Sequence, residues 1–176
     1  METRNLAGRY DLAPLDWEPV AARLDEGFEQ APAGGGPDRH TCWLATIDAD
    51  GRPHVTGVGA LWVDGAFWFE TGEHTRKGRN LARDPRCSLS VATLEFDLVV
   101  EGAAEPVRDP AVVATMARRW SEAGWPAEPD ESGTALTAEY SAPSAGGPPW
   151  LVYRLALTKA TALQTVAPGG ATTWTF

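Results

Sequence analysis

Cys42-Trp43-Leu44-Ala45-Thr46-Ile47, then Asp48-Ala49-Asp50-Gly51, then an extended run from Pro53 to Val63, then Asp64-Gly65, then Ala66-Phe67-Trp68-Phe69-Glu70-Thr71: three runs of sheet formers separated by two turn signals. This spacing predicts an antiparallel meander of three strands. Alternation along the middle strand puts Val55, Gly57, Gly59 and Leu61 on one face. His54, Thr56, Val58, Ala60 and Trp62 take the other. Two glycines side by side on one face leave bare backbone, which marks a close approach by a ligand or another chain, or a bend in the strand.

The meander runs directly into Thr71-Gly72-Glu73-His74-Thr75-Arg76-Lys77-Gly78-Arg79-Asn80-Leu81-Ala82-Arg83-Asp84-Pro85-Arg86. A helix is expected over about Thr75 to Arg83, capped by Thr75 and stopped before Pro85. Five of the chain's fifteen Lys and Arg residues lie between Arg76 and Arg86, although the net charge is -9. Cations in a helix's first turn oppose the helix dipole and need a counter-charge. A phosphate held by Thr75, Arg76 and Lys77, with Asn80 reaching back, would supply one. The competing reading is a solvated basic helix face. Each charge-assisted hydrogen bond contributes roughly 1.5–3 kcal/mol, and a micromolar ligand needs about 8 kcal/mol. An apolar ring contact near Trp62, Trp68 and Gly57 is therefore expected as well.

Outward from this centre, residues 1–41 read as a polar arm with a short helix near Leu15 to Leu24, capped by Asp16, and a loop over Ala31 to Pro37. Strands are expected at Arg86 to Thr93, Phe96 to Pro106, Trp150 to Thr158 and Thr161 to Val166. A helix is expected from Pro110 to Ala123 with Asp109 as cap, and Ala127 to Pro149 reads as loop. Six or more strands at short spacing with two or three helices give a fold that is mainly β with α, a closed or partly closed barrel over 42–176 preceded by the arm 1–41.

Composition narrows the function. The acidic balance argues against nucleic acid and acidic membranes as partners, and no apolar block suggests a signal peptide or a span. Cys42 and Cys87 fit reduced thiols in a cytoplasmic protein. His40-Thr41-Cys42 offers two metal ligands without a second pair, so no metal is expected. Gly57-Val58-Gly59 lacks the third glycine and the helix of a dinucleotide fingerprint. Chemistry, if present, comes from a bound cofactor.

The run His40 to Pro106 resembles the pyridoxamine 5'-phosphate oxidase-like family of flavin-binding split barrels. The resemblance rests on Trp43-Leu44-Ala45-Thr46, Asp50-Gly51-Arg52-Pro53-His54-Val55-Thr56-Gly57-Val58, Phe67-Trp68-Phe69-Glu70-Thr71, Thr75-Arg76-Lys77-Gly78-Arg79-Asn80-Leu81 and Asp84-Pro85-Arg86. It implies a six-stranded antiparallel split β-barrel with flanking helices, assembled as a homodimer with a cofactor, F420 or FMN, at the interface. His54, Val55, Thr56, Gly57 and Val58 would back the ring, and Thr71, Thr75, Arg76, Lys77 and Asn80 would face the phosphate. The tail Thr172-Thr173-Trp174-Thr175-Phe176 differs from the Arg-Leu-x-Pro ending of pyridoxamine phosphate oxidases. It is similar to the F420-dependent reductase branch, where Trp174 would cover the substrate side. Arginines found in that branch are replaced here by Thr173 and Thr175. The implied activity is hydride transfer between reduced F420, or FMN, and a small unsaturated or quinone-like acceptor, with His54 as a candidate for proton delivery. The alternative is a non-catalytic flavin-, deazaflavin- or haem-binding or storage protein.

Overall fold

A computed structural model describes residues 1–27, 30–31 and 41–176. Most of the expected 31–37 loop, and His40, lie outside the described residues. Strand β1 (Glu2–Asn5) and helix α1 (Trp17–Asp25) come first. The meander follows as β2 (Thr41–Ile47), β3 (Pro53–Val63) and β4 (Ala66–Thr71), all antiparallel. The β3–β4 turn carries positive φ at both Asp64 and Gly65, the backbone that an Asp-Gly hairpin demands.

Helix α2 (Arg76–Arg83) starts at the Thr75 cap, and Asp84 turns extended ahead of Pro85. Then come β5 (Arg86–Ala92), β6 (Phe96–Val107) and α3 (Pro110–Glu122). The Asp109 carboxylate accepts from the N–H groups of Ala111 and Val112. The region read as loop contains a two-residue pair, β7 (Glu128–Pro129) with β8 (Leu136–Thr137), and a 3-10 turn at Pro143–Ala145. The two expected closing strands are one long strand, β9 (Leu151–Gln164), and the tail is a further strand, β10 (Gly170–Thr175).

The strand order β9-β4-β3-β2-β5-β6 closes through β6–β9, giving the six-stranded antiparallel barrel that the family resemblance implies. Along one edge β9 pairs first with β4, over 151–155, and then with β10, over 159–164. β1 extends the sheet beyond β10. The first residues are thus a strand rather than a free arm, and α1 buries Val20 and Leu24 in the core.

Two apolar clusters hold the fold. Leu44, Val58, Phe67, Phe69, Leu98, Val100 and Leu155 fill the barrel. Outside it, α3 lays Val113, Met116 and Trp120 on Trp68, Trp150 and Val152. Strand β4 sits between them and is buried on both faces, which explains its apolar run from Ala66 to Phe69. Each such large side chain contributes about 1.5–3 kcal/mol through burial.

Candidate functional site

The start of α2 gathers Thr75, Arg76, Lys77 and Asn80 beside Thr71, and Ser144 links Lys77 to Gly57 of β3. The Thr75 hydroxyl accepts from the Gly78 N–H (3.0 Å) and donates to the Gly72 carbonyl (2.8 Å). It lies 2.9 Å from the hydroxyl of Thr71, which is fully buried. Both hydroxyls are therefore spent on shaping the turn. Gly78 has no alternative here: a Cβ would meet the Gly72 carbonyl oxygen at 2.4 Å.

The cations have partners within the chain. Arg76 forks onto the Asp48 carboxylate, its Nε donating to Oδ1 at 2.9 Å. Asn80 donates to the same carboxylate (3.0 Å) and to the Thr46 hydroxyl (3.1 Å). Arg83 reaches the Ile47 carbonyl, Arg79 the His74 carbonyl, and Arg86 pairs with Asp84. Arg76 and then Asn80 hold the Asp48 carboxyl well below the usual range. A counter-charge for Arg76 is thus already present within the chain, in Asp48.

Lys77 differs from its neighbours. It is 2% exposed, and its ammonium donates to the Ser144 carbonyl. Burial lowers its pKa, and the nearby Glu70 carboxylate opposes that shift. The Ser144 hydroxyl in turn donates to the Gly57 carbonyl (3.2 Å). At Gly57 the close approach is made by the chain itself: a Cβ would meet the Thr41 side chain at 3.3 Å, while Ser144 takes the carbonyl. Ser144 escaped the sequence reading because nothing in a Pro- and Gly-rich stretch specifies where it docks.

Among the ring-backing candidates, Val55 is exposed on the outer wall, in line with Gly57 and Gly59. A Cβ at Gly59 would meet nothing within 4 Å. Val58 points into the core, so only its backbone is available to a ligand. His54 and Thr56 are half-buried on the inward side. Burial and then Arg76 lower the His54 pKa. Trp174 needs correction. It is wholly buried, 5.3 Å from Trp17 ring to ring, and presents no face to a ligand on the outer wall. Trp62 and Trp68 are likewise spent on packing, against Phe67 and α3 respectively. Beside the helix start lies a cavity of about 750 Å3, lined by Gly72, His74, Thr75, Arg108, Ser132 and Ser144 among others. Neither Arg76 nor Lys77 lines it.

Glu70 went unnoticed in the sequence. It is 7% exposed, accepts one hydrogen bond from the Ser141 hydroxyl (3.3 Å), and leaves Oε2 without a partner. Burial pushes its carboxyl up to about 7, with Lys77 acting against the shift. Because the folded state holds this proton more tightly than the unfolded chain, the stabilisation is complete below about pH 4.5 and is lost as pH rises to about 7. Glu70→Gln is expected to remove that slope, worth about 3 kcal/mol in all. Urea denaturation at pH 5 and pH 8 checks it, and equal slopes in parent and variant would refute it.

Cys42 and Cys87 carry thiols that burial pushes up to about 12, far from reactive. Among the described residues no cluster of three His, Cys, Asp or Glu side chains could hold a metal ion. No helix among them is long and apolar enough to cross a membrane.

Comparison with known proteins bears on this geometry. The family model for pyridoxamine 5'-phosphate oxidase matches residues 35–142. The pyridoxine/pyridoxamine 5'-phosphate oxidase of Alkalilimnicola ehrlichii is 35% identical over 158 residues, covering 79% of this chain and 81% of that protein. The protein of the same name from Paraburkholderia phymatum is 33% identical over 164 residues, 84% and 77% of the two chains. Among solved structures, a pyridoxamine 5'-phosphate oxidase-related, FMN binding protein from Nostoc punctiforme superposes with a TM-score of 0.58 at 14% identity, covering 91% of each chain. PhzG from Burkholderia lata, in complex with tetrahydrophenazine-1-carboxylic acid, gives 0.56 at 15%, covering 90% and 85%. The two structures share the fold; the sequence matches go further, since they run through the meander and α2. The chain belongs to the pyridoxamine 5'-phosphate oxidase family.

Proposed function

We propose that this protein is a flavin-dependent oxidoreductase that holds FMN against the outer wall of β3 and passes hydride to a small unsaturated or quinone-like acceptor. The observation that carries this reading is the buried Lys77 ammonium in the first turn of α2, bridged through Ser144 to the bare backbone of Gly57. The donor set fits a phosphate. A helix leaves its first N–H groups without intrahelical partners, and at Arg76 and Lys77 these sit beside a cation. Gly59 leaves open space for a planar ring. The names of the curated relatives support the same class of chemistry.

FMN is favoured over F420 by the closing strand. Thr173 offers a hydroxyl already engaged with Thr161 at 2.9 Å, and neither Thr173 nor Thr175 brings a guanidinium of its own for a long anionic tail. A bound flavin supplies the hydride chemistry itself. The protein's part is to fix the phosphate at Lys77, to present flat backbone to the ring, and to exclude water. Burial and then Arg76 lower the His54 pKa, which disfavours the imidazolium that proton delivery would need. A second copy of the chain would close the open side of the ring: Trp43, across the ladder from Gly57, and Val55 are exposed there, as is Val99 on β6.

Separate fluorescence titrations with FMN and F420 test the binding. Saturation in the micromolar range, about 8 kcal/mol, is expected with FMN. Two flat titrations would overturn the reading. Turnover of the reduced cofactor with enones and quinones then separates an oxidoreductase from a carrier, which would bind without oxidation.

A further inference from the structure

Behind the 141–147 segment lies a second, smaller cavity of about 140 Å3, lined by Gly59, Glu70, Trp120, Ala123, Trp125, Tyr140, Ser141 and Ala142. The Trp120 and Trp125 rings stand 6.0 Å apart at 84°, forming two walls at right angles. The Trp125 indole N–H donates to the Tyr140 carbonyl, which ties the third aromatic residue to the other two. At one side is the Glu70 carboxyl, more than nine-tenths buried, with Oε2 making no hydrogen bond.

Charges near Glu70 are few. Lys77 on α2 is close enough to act on it electrostatically, yet its ammonium is taken by the Ser144 carbonyl, and no ion pair forms between the two. Ser141 contributes one hydroxyl. From α3 come only Trp120 and Ala123, from β3 Gly59, and across the ladder on β9 stands Val152. A buried carboxylate in such surroundings must either hold a proton or receive a cation. Aromatic faces set around a carboxylate are the arrangement that recognises ammonium groups, above all methylated ones, because the ring quadrupole attracts a weakly hydrated cation.

We propose that this cavity binds a small organic cation, an ammonium or methylated ammonium group, with Glu70 as its counter-charge and Trp120, Trp125 and Tyr140 as its walls. The cavity shares Gly59 with the wall proposed for the flavin, but its test needs no flavin, so the two readings fail separately.

The test uses the full chain without added flavin, titrated with tetramethylammonium or methylammonium chloride against sodium chloride at equal ionic strength, and followed by tryptophan fluorescence. A saturable change specific to the organic cation is expected. Since a cation selects the ionised carboxyl, and the free carboxyl titrates at about 7, affinity should be about tenfold tighter at pH 8 than at pH 6. Binding in weakly buffered solution at pH 7 should release protons, a readout independent of any variant. Glu70→Gln, close to isosteric and free of a buried charge, should abolish the pH dependence and weaken binding at pH 8 by about tenfold or more. A response no greater than that to sodium chloride would overturn the proposal. So would binding that persists unchanged in Glu70→Gln, or that releases no protons.

Discussion

Gly102→Ala is expected to lower the melting temperature by about 6–12 °C or more, since among the described glycines its added Cβ would make the shortest contact. Gly102 lies in β6 where its register against β9 shifts. A Cβ there would sit 1.9 Å from the Ala156 carbonyl oxygen and 2.9 Å from its carbon. Both atoms are backbone, so no rotamer can relieve the clash, and the ladder itself must part. That ladder is the closure of the barrel: β9 pairs with β6 from Val152 to Gln164, and losing it opens the inner core. A cost of about 3 kcal/mol is a conservative figure for overpacking against fixed backbone, out of a total stability of about 5–15 kcal/mol. Gly59→Ala is the control, because its Cβ meets nothing, and it should change stability by no more than about 0.5 kcal/mol. Thermal melts followed by circular dichroism compare the two. If Gly102→Ala melted with the parent, the close approach of β6 and β9 would not be what constrains this position.

The reading of the meander succeeded where the local chemistry is self-sufficient. Asp64-Gly65 encodes its own turn, Thr75 and Pro85 bracket α2, and Asp109-Pro110 opens α3. The reading failed where the partner is remote. Glu2-Thr3-Arg4-Asn5 carries no apolar alternation, since what fixes it is a backbone ladder with Thr172–Thr175 at the other end of the chain. Without that strand, the parity of β10 could not be known, and parity is what sends Thr172 and Trp174 inward. The long β9 has a similar cause: its two halves serve different neighbours on one edge, so its pattern of burial changes midway without a break in the chain. At the site, the sequence located the cations and the bare glycines. Their partners were hidden, because Asp48 lies 28 positions from Arg76 and Ser144 lies 67 from Lys77. Glu70 gave no signal at all: a carboxylate in an apolar strand looks like any outward-facing residue until α3 and the 141–147 segment cover it.

Three substitutions at the helix start separate a phosphate site from a merely structural basic helix. Lys77→Met keeps the apolar stem in place and removes the charge. If Lys77 grips a phosphate, the loss is one charge-assisted hydrogen bond of about 1.5–3 kcal/mol, or roughly 10–150-fold in the Kd for FMN. Arg76→Ala should also weaken binding, by subtracting a guanidinium and leaving the Asp48 carboxylate facing the anion. The decisive variant is Asp48→Asn. It removes a negative charge, and it frees the Arg76 fork that this carboxylate now occupies. FMN should therefore bind several-fold more tightly, and the gain should shrink as salt screens the exposed charges. Damage to the fold cannot mimic that outcome, because a loosened α2 would weaken binding. Equilibrium titration at low and high ionic strength reads all three. Should Lys77→Met and Asp48→Asn both leave the FMN affinity within about twofold of the parent, the cations serve Asp48 and Ser144 alone, and the phosphate lies elsewhere.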